Sequence, residues 1–373
     1  MVGGGLLGLS AAWSLARRDW DVTVLEAGPS IGHGRSGSQG DARIFRLGYP
    51  EARYVEMALL SRDLWRELEA ASGRRLLHVT GQVTFGDATS LAGIGEALAA
   101  RGVPVVELTA EDAASRFPGM AVRAPALLEP ESGVLSAGAC LRALVETGGF
   151  AVRTGACVTG LAPGRGSVRV DVEGDFDGEL SVRADVVVDC AGPGTLALVG
   201  GDHAVGAAPS LPQVAYFRGA HDAADAARLP VFIEWGDDMI YGLPVLGGGV
   251  HAATYKVSHH TPGTPLEHYD PAEATPLGDE PALLGLLTDA ARRLLPALDP
   301  EPVATERCIY DNSADTDFVV DRVGDVVVGC GTSGHGFKFG PLLGELLADL
   351  ADGIEPRVDL SPFRLDRRRA PAG

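Results

Sequence analysis

Four glycines interleave with an imidazole and an ammonium in Gly331-Thr332-Ser333-Gly334-His335-Gly336-Phe337-Lys338-Phe339-Gly340. Such a loop can lay its backbone flat against a ligand. Pro341 then opens a helix, whose positive end would face whatever the loop holds. Far upstream, Arg43 and Arg46 follow a stretch of small residues directly. There their guanidinium groups could fix an anion by bidentate hydrogen bonds. Lys256 lies in an apolar run, where a charged side chain carries a desolvation cost and so needs a reason to be present. Cys308 stands two before Tyr310; an isolated cysteine would by default be a small buried hydrophobe.

These groups need elements to hold them, and the chain's first residues supply the frame. Met1-Val2-Gly3-Gly4-Gly5-Leu6-Leu7-Gly8 is followed by an apolar helical run and then by Asp21-Val22-Thr23-Val24-Leu25-Glu26. Gly3 permits a tight turn out of a strand, Gly5 lets the backbone approach a pyrophosphate, and Gly8 lets helix and strand pack closely. Ala11, Ala12 and Leu15 recur at helical spacing, which aims the helix N-terminus at the loop. Glu26 closes a β-rich run where an acidic residue accepts hydrogen bonds from a ribose. Loop, helix, strand and terminal acid in register predict an adenine dinucleotide site. The strand before Gly3 is reduced to Met1 and Val2, so either the start codon is assigned too late or the sheet has a short central strand.

Periodicity predicts helices over 54–71, 91–100, 111–116, 137–146 and 283–295, and a last one with Leu343, Leu346, Leu347 and Leu350 on one face. A strand is expected over 78–85, and 128–135 reads as a turn-rich crossover. Val168, Val170 and Val172 alternate with polar residues, as in a half-exposed meander. Residues 185–192 form an apolar strand whose end, Cys190-Ala191-Gly192, is small enough to meet a dinucleotide. A β-rich block covers 213–217, 231–235, 239–243 and 250–257, and strands return at 316–321 and 325–330. The expected fold is α/β: a Rossmann-like nucleotide domain from 1–75, 136–205 and 300–373, and an antiparallel-sheet substrate domain from 76–135 and 206–299.

Size and composition agree with this. The 373 residues suit two interleaved domains, and the 50 glycines and 24 prolines are scattered among apolar periodic segments. A net charge of -19 argues against nucleic acid or an anionic membrane as partner. The five cysteines are odd in number and widely spaced, which fits a reducing cytoplasm. The apolar run 6–16 is too short to span a bilayer and lacks a basic leader. No metal site is expected: His259 and His260, adjacent on a strand, point to opposite faces and have no ligand-spaced companion.

Several blocks, in order, resemble the monomeric sarcosine oxidase, pipecolate oxidase and N-methyltryptophan oxidase family: Gly40-x-x-Arg43-x-x-Arg46, Tyr241-Gly242-Leu243-Pro244, Cys308-x-Tyr310, Gly334-His335-Gly336-Phe337-Lys338 and Leu360-Ser361-Pro362-Phe363-Arg364. The resemblance implies an FAD-dependent oxidase that turns secondary amino acids into imines and O2 into hydrogen peroxide, with no macromolecular partner and a monomeric state. It implies that Cys308 is joined through sulfur to the flavin, and that Arg46 and Lys338 bind the substrate carboxylate. Arg43 would lie close to the flavin ring. Gly3, Gly5, Gly8, Glu26, Val158, Gly192, Gly334, His335, Gly336 and Lys338 would complete the cofactor site. Lys256 would serve the oxygen side with Tyr241; if the lengthening by Gly247-Gly248-Gly249 is not counted, Ala252 takes that position instead.

The chain departs from the family at two points. Gln39 stands where a histidine is usual and Thr332 where a larger residue is, so the substrate cavity is expected to differ. Two other readings stay open: the small Thr332 would suit a tailoring oxidase of a larger imino acid, and the truncated first strand a flavin-binding partner protein without turnover.

Overall fold

The computed structural model describes residues 1–174, 181–201, 203, 205–206, 208–261, 263–273 and 277–367. Its first layer is a mostly parallel sheet. Strand Thr23–Glu26 pairs in parallel with Ala151–Thr154, and Val187–Asp189 pairs in parallel with Val326–Cys330. Val2 joins the two halves by parallel bridges to Leu25 and Asp189, so the short central strand is a single bridged residue. Val319–Val323 closes the far edge in antiparallel pairing. The β-branched valines in these strands suit a layer covered by helices. Leu6–Ala16 and Gly340–Asp352 cover it, their leucines forming one core with Phe318, Val320 and Val327. The order strand, glycine loop, helix, strand is that of a dinucleotide fold.

The second layer is an eight-stranded sheet in the order Ala304–Arg307, Gln213–Phe217, Tyr255–His259, Ile240–Pro244, Val231–Trp235, Gln82–Gly86, Ala126–Glu129, Val106–Leu108. Its pairings are antiparallel apart from Val231–Trp235 against Gln82–Gly86. Period-2 alternation sends Ala215, Phe217, Phe232, Tyr255 and Val257 to one face, where they pack with the helix Pro281–Leu294. The alternate residues Val214, Tyr216, Tyr241 and Leu243 turn the other way and gather around Cys308. That second face looks toward the parallel sheet, and the site lies there.

A three-stranded sheet, Ala42–Phe45, Gly133–Ser136 and Leu77–Val79, links the layers and carries Arg43 at their junction. The meander appears as Cys157–Pro163, Val168–Glu173 and Ser181–Ala184, with Val168, Val170 and Val172 buried.

Several strands differ from their sequence-based bounds. The stretch 78–85 is split between two sheets at Gly81, whose φ of +75° breaks the extended backbone. Residues 128–135 are two strand ends around a turn rather than a plain crossover. The strand expected over 250–257 runs Tyr255–His259, because the residues before it turn, with Ala253 at φ +61°. Likewise 316–321 begins only at Val319, after Thr316 at φ +66°. The first helix starts at Leu6, so Gly8 sits within its first turn.

Candidate active site

A cavity of about 430 Å³ runs across the carboxyl ends of the parallel strands. Gly3, Gly5, Glu26, Val158 and Gly192 line it, as do Tyr241, Lys256, Cys308, Gly334 and Gly336. Gly8 is behind that wall: a Cβ there would lie 2.0 Å from the Gly3 carbonyl oxygen, and one on Gly3 would lie 2.4 Å from the Cys190 carbonyl oxygen. Helix and loop touch backbone to backbone, so only glycine fits either position. The helix Leu6–Ala16 has no acidic residue in its first turn and no side-chain cap from Gly5, and Leu6 donates to Ser38 Oγ at 2.9 Å. Its positive end therefore suits an anion.

Glu26 is buried and already organised. Its carboxylate takes the Gly4 and Gly28 amides, each at 2.7 Å, and stands 3.2 Å from His33 Nε2. Burial alone would raise its pKa, but the donors from His33, Gly28 and Gly4 outweigh that and hold it below the usual carboxylate value. It stays ionised with lone pairs to spare for hydroxyl donors. Glycine cradle, helix end and buried acid together fit the adenosine diphosphate part of FAD.

A second cavity of about 60 Å³ shares Arg43, Tyr241, Lys256, Gly334 and Phe337 with the first. Those residues form the partition between the two. Arg43 is tied there by backbone carbonyls: Nη1 donates to Ala42 at 3.0 Å, and Nη2 to Gly37 at 3.2 Å and to Gln39. Its guanidinium lies 5.4 Å from the Phe337 ring centre. Lys256 is 3 % exposed, with Tyr216 and Leu243 as its cross-strand neighbours. Burial, then Arg43, lowers its pKa to about 8 against the opposing influence of Cys308, Glu306 and Asp41. Ala252 is exposed in the turn before this strand and lines neither cavity. Tyr241 Oη is 3.3 Å from Tyr310 Oη. Cys308 is buried in the apolar cluster beside them, its amide donating to Pro212 at 3.1 Å.

The small cavity collects positive charge. Arg46 and Lys338 line it with His260 and His335, against apolar Ile44, Ile233, Met239 and Leu243. The Arg46 guanidinium sits 4.1 Å over the Tyr49 ring, and its buried Nη1 has no hydrogen-bond partner. Lys338 Nζ donates to Tyr49 Oη at 2.9 Å and to the His335 carbonyl at 2.7 Å. Burial, then Arg46, pushes the Lys338 pKa well below the ordinary lysine value. Burial, then Arg46 and Lys338, takes His260 down to about 3, and burial with Lys338 and His260 also depresses His335. Both imidazoles are thus neutral near pH 7. A desolvated cationic pocket with an open guanidinium donor is the environment a carboxylate would stabilise.

His335 lines the small cavity only; its Nδ1 is 3.4 Å from Tyr49 Oη and its Nε2 3.1 Å from the Thr316 carbonyl. The sequence reading did not identify Tyr49, His260 as a wall residue, or Glu129. Glu129 is buried and accepts from the Leu47 and Gly48 amides at 3.2 and 2.8 Å, from Ser132 Oγ at 2.8 Å and from Gln82 Nε2 at 2.9 Å. It therefore pins the backbone just after Arg46. The available signal was an acid closing the apolar run Ala126–Glu129. Among the described residues no group of histidine, cysteine and carboxylate side chains could hold a metal ion, and no helix is long and apolar enough to cross a membrane.

The chain resembles known flavin enzymes over its full length. It is 32% identical to human peroxisomal sarcosine oxidase, with 98% of this chain and 95% of the relative covered. It is 28% identical to a monomeric sarcosine oxidase from Bacillus sp. (strain B-0618), again over 98% and 95% of the two chains. The structure of NikD, an unusual amino acid oxidase essential for nikkomycin biosynthesis, superimposes with a TM-score of 0.82 at 27% identity, covering 100% of this chain and 98% of that one. Glycine oxidase from Geobacillus kaustophilus has the same fold, with a TM-score of 0.78 at 22% identity over 99% and 98% of the two chains. The model of the FAD dependent oxidoreductase family matches residues 1–350, and with a glycine cradle, a buried acid and a cationic pocket beyond them, this chain belongs to that family.

Proposed function

We propose that this chain is an FAD-dependent oxidase of secondary amino acids, N-methyl or cyclic, yielding an imine and hydrogen peroxide. One observation carries the substrate class: the unpartnered Arg46 Nη1, in a buried pocket with Lys338, directly across a shared wall from the dinucleotide cavity. FAD, when bound, accepts a hydride equivalent from the carbon beside the nitrogen and passes its electrons to O2. The chain's own contribution is placement and charge. Arg46 and Lys338 hold the carboxylate, so the amine nitrogen and its carbon point at the partition. The neutral His260 and His335 and the apolar walls exclude water from that point. Arg43, anchored on three carbonyls, sets a fixed positive charge beside the cofactor cavity. Lys256, with Tyr241, presents its ammonium to the side where O2 is reduced.

Gly3, Gly5, Gly8, Glu26, Val158, Gly192, Gly334 and Gly336 form the cofactor site in this reading, and Cys308 anchors the flavin through its sulfur; His335 and Lys338, expected there as well, line the small cavity instead. In this reading segments 1–75, 136–205 and 300–373 are the FAD-binding domain and 76–135 and 206–299 the substrate domain, although the strand Ala304–Arg307 pairs into the large sheet of the latter. The protein acts as a monomer on a small molecule and O2. The cytoplasm is its place in this reading, a reducing compartment that suits the four cysteines other than Cys308, none of them in a disulfide.

The likeness to NikD favours a second reading, a biosynthetic oxidase of a larger imino acid. Peroxide release from sarcosine, pipecolate, proline and N-methyltryptophan separates the two. The small volume beyond the partition favours sarcosine or proline; turnover confined to bulkier ring substrates would favour the second reading. Covalent attachment is read from acid precipitation: colour that stays in the washed pellet, and is lost in Cys308→Ala, supports it, whereas colour in the supernatant removes Cys308 from that role.

A further inference from the structure

The Gly247-Gly248-Gly249 run lets a loop fold down onto the large sheet. All three residues have positive φ, +83°, +91° and +113°, and a Cβ on Gly249 would lie 2.2 Å from Asp41 Oδ1. What the loop delivers is His251. Its amide donates to Asp41 Oδ2 at 2.8 Å, and its ring stacks on Tyr216 with centroids 3.9 Å apart and planes 16° apart. Its Nε2 then stands 2.9 Å from Glu306 Oε1, while Tyr216 Oη donates to Glu306 Oε2 at 2.6 Å. Both carboxylate oxygens are clamped.

Register connects this clamp to Lys256. Glu306 lies opposite Val214, and Tyr216 lies opposite Lys256. Because Val214 and Tyr216 share one face of their strand, Glu306 and Lys256 share it too, one on each side. The groups that face Lys256 are Arg43 from the linking sheet, Cys308, Asp41 and Glu306, with Tyr216 and Tyr241 held as neutral phenols by burial. Those facing Glu306 are Tyr216, His251 and Lys256, which together outweigh burial and keep it an anion.

We infer that Glu306 is a positioning residue of this site: a fixed negative charge that, together with Asp41, favours Lys256 as an ammonium against Arg43, with His251 and Tyr216 holding its carboxylate in place. The inference rests on the role given to Lys256 above. It also gives the glycine run a purpose, since the positive-φ loop that it builds brings His251 onto the carboxylate.

The test follows the lysine's proton through stability, in the flavin-loaded protein as purified. A buried lysine with a pKa below its unfolded value costs stability while protonated, and the cost is relieved as pH rises through the folded pKa. The unfolding midpoint of wild type minus that of Lys256→Met therefore begins to rise near pH 8. In Glu306→Gln, which keeps the shape and one acceptor oxygen but not the charge, the same difference against Glu306→Gln/Lys256→Met should begin to rise about one pH unit lower. Flavin reoxidation by O2 should lose rate at the same lowered pH. An unchanged onset overturns the inference. Should the glutamine protein fail to fold, His251→Asn loosens the clamp and is expected to give a smaller downward shift; no shift there overturns it as well. Reoxidation as fast in Lys256→Met as in wild type would instead overturn the oxygen-side reading of Lys256, and Glu306's positioning role with it.

Discussion

Replacing Arg46 by Met removes the open guanidinium donor while leaving an apolar side chain to cover the Tyr49 ring. In the free protein Arg46 is 7 % exposed and makes no ion pair among the described residues, so its charge is available to an incoming carboxylate. At an effective dielectric near 20, opposite charges ~4 Å apart attract by ~4 kcal/mol. Lys338 remains to recover part of this, leaving a net loss of ~3 kcal/mol, or roughly two decades in kcat/KM. The assay is a cycle of peroxide formation by wild type and Arg46→Met, each with sarcosine and with dimethylamine, which lacks the carboxylate. Wild type should prefer sarcosine by nearly a thousandfold, about 4 kcal/mol, and the variant, left with Lys338, by only about fivefold, because both changes remove the same interaction. An equal loss on both amines, or a loss below about fivefold on sarcosine, would refute the assignment of Arg46.

Other outcomes follow from the same geometry. Gly8→Ala forces a Cβ to 2.0 Å from the Gly3 carbonyl oxygen; the purified protein should be colourless or unstable, read from its flavin-to-protein absorbance ratio. Flavin reoxidation by O2 should slow as pH rises through about 8, where Lys256 loses its proton; the profile should be flat and low in Lys256→Met, measured by stopped flow after anaerobic reduction. Glu129→Ala strands two buried amides that fix the chain after Arg46. It should cost about 2–4 kcal/mol of stability by denaturant titration and raise KM for the amino acid more than it lowers kcat.

The dinucleotide half of the molecule was legible because its signals are local. Gly3, Gly5, Gly8 and Glu26 announce themselves by spacing within one strand-helix-strand unit, and the structure keeps that order. The cationic pocket was legible only through resemblance. Arg46 and Lys338 are nearly three hundred residues apart, and no periodicity links them. Lys256 against Ala252 was a question of register: the strand begins after the positive-φ turn at Ala253, which leaves Ala252 in the turn and puts Lys256 on the wall of both cavities. Glu129 escaped because its partners come from three segments, Leu47-Gly48, Gln82 and Ser132, and only the folded chain brings them to one carboxylate. The break at Gly81 was equally hidden: a glycine in an apolar run reads as a weak strand residue until its φ is known.

The most direct measurement is an anaerobic titration of the purified protein with sarcosine and, in parallel, proline, followed by admission of O2. One of these amines should bleach the visible flavin band completely, and O2 should restore it with one hydrogen peroxide per flavin. A flavin band that none of the secondary amino acids bleaches would contradict the account and leave a protein that binds flavin without turning over an amine.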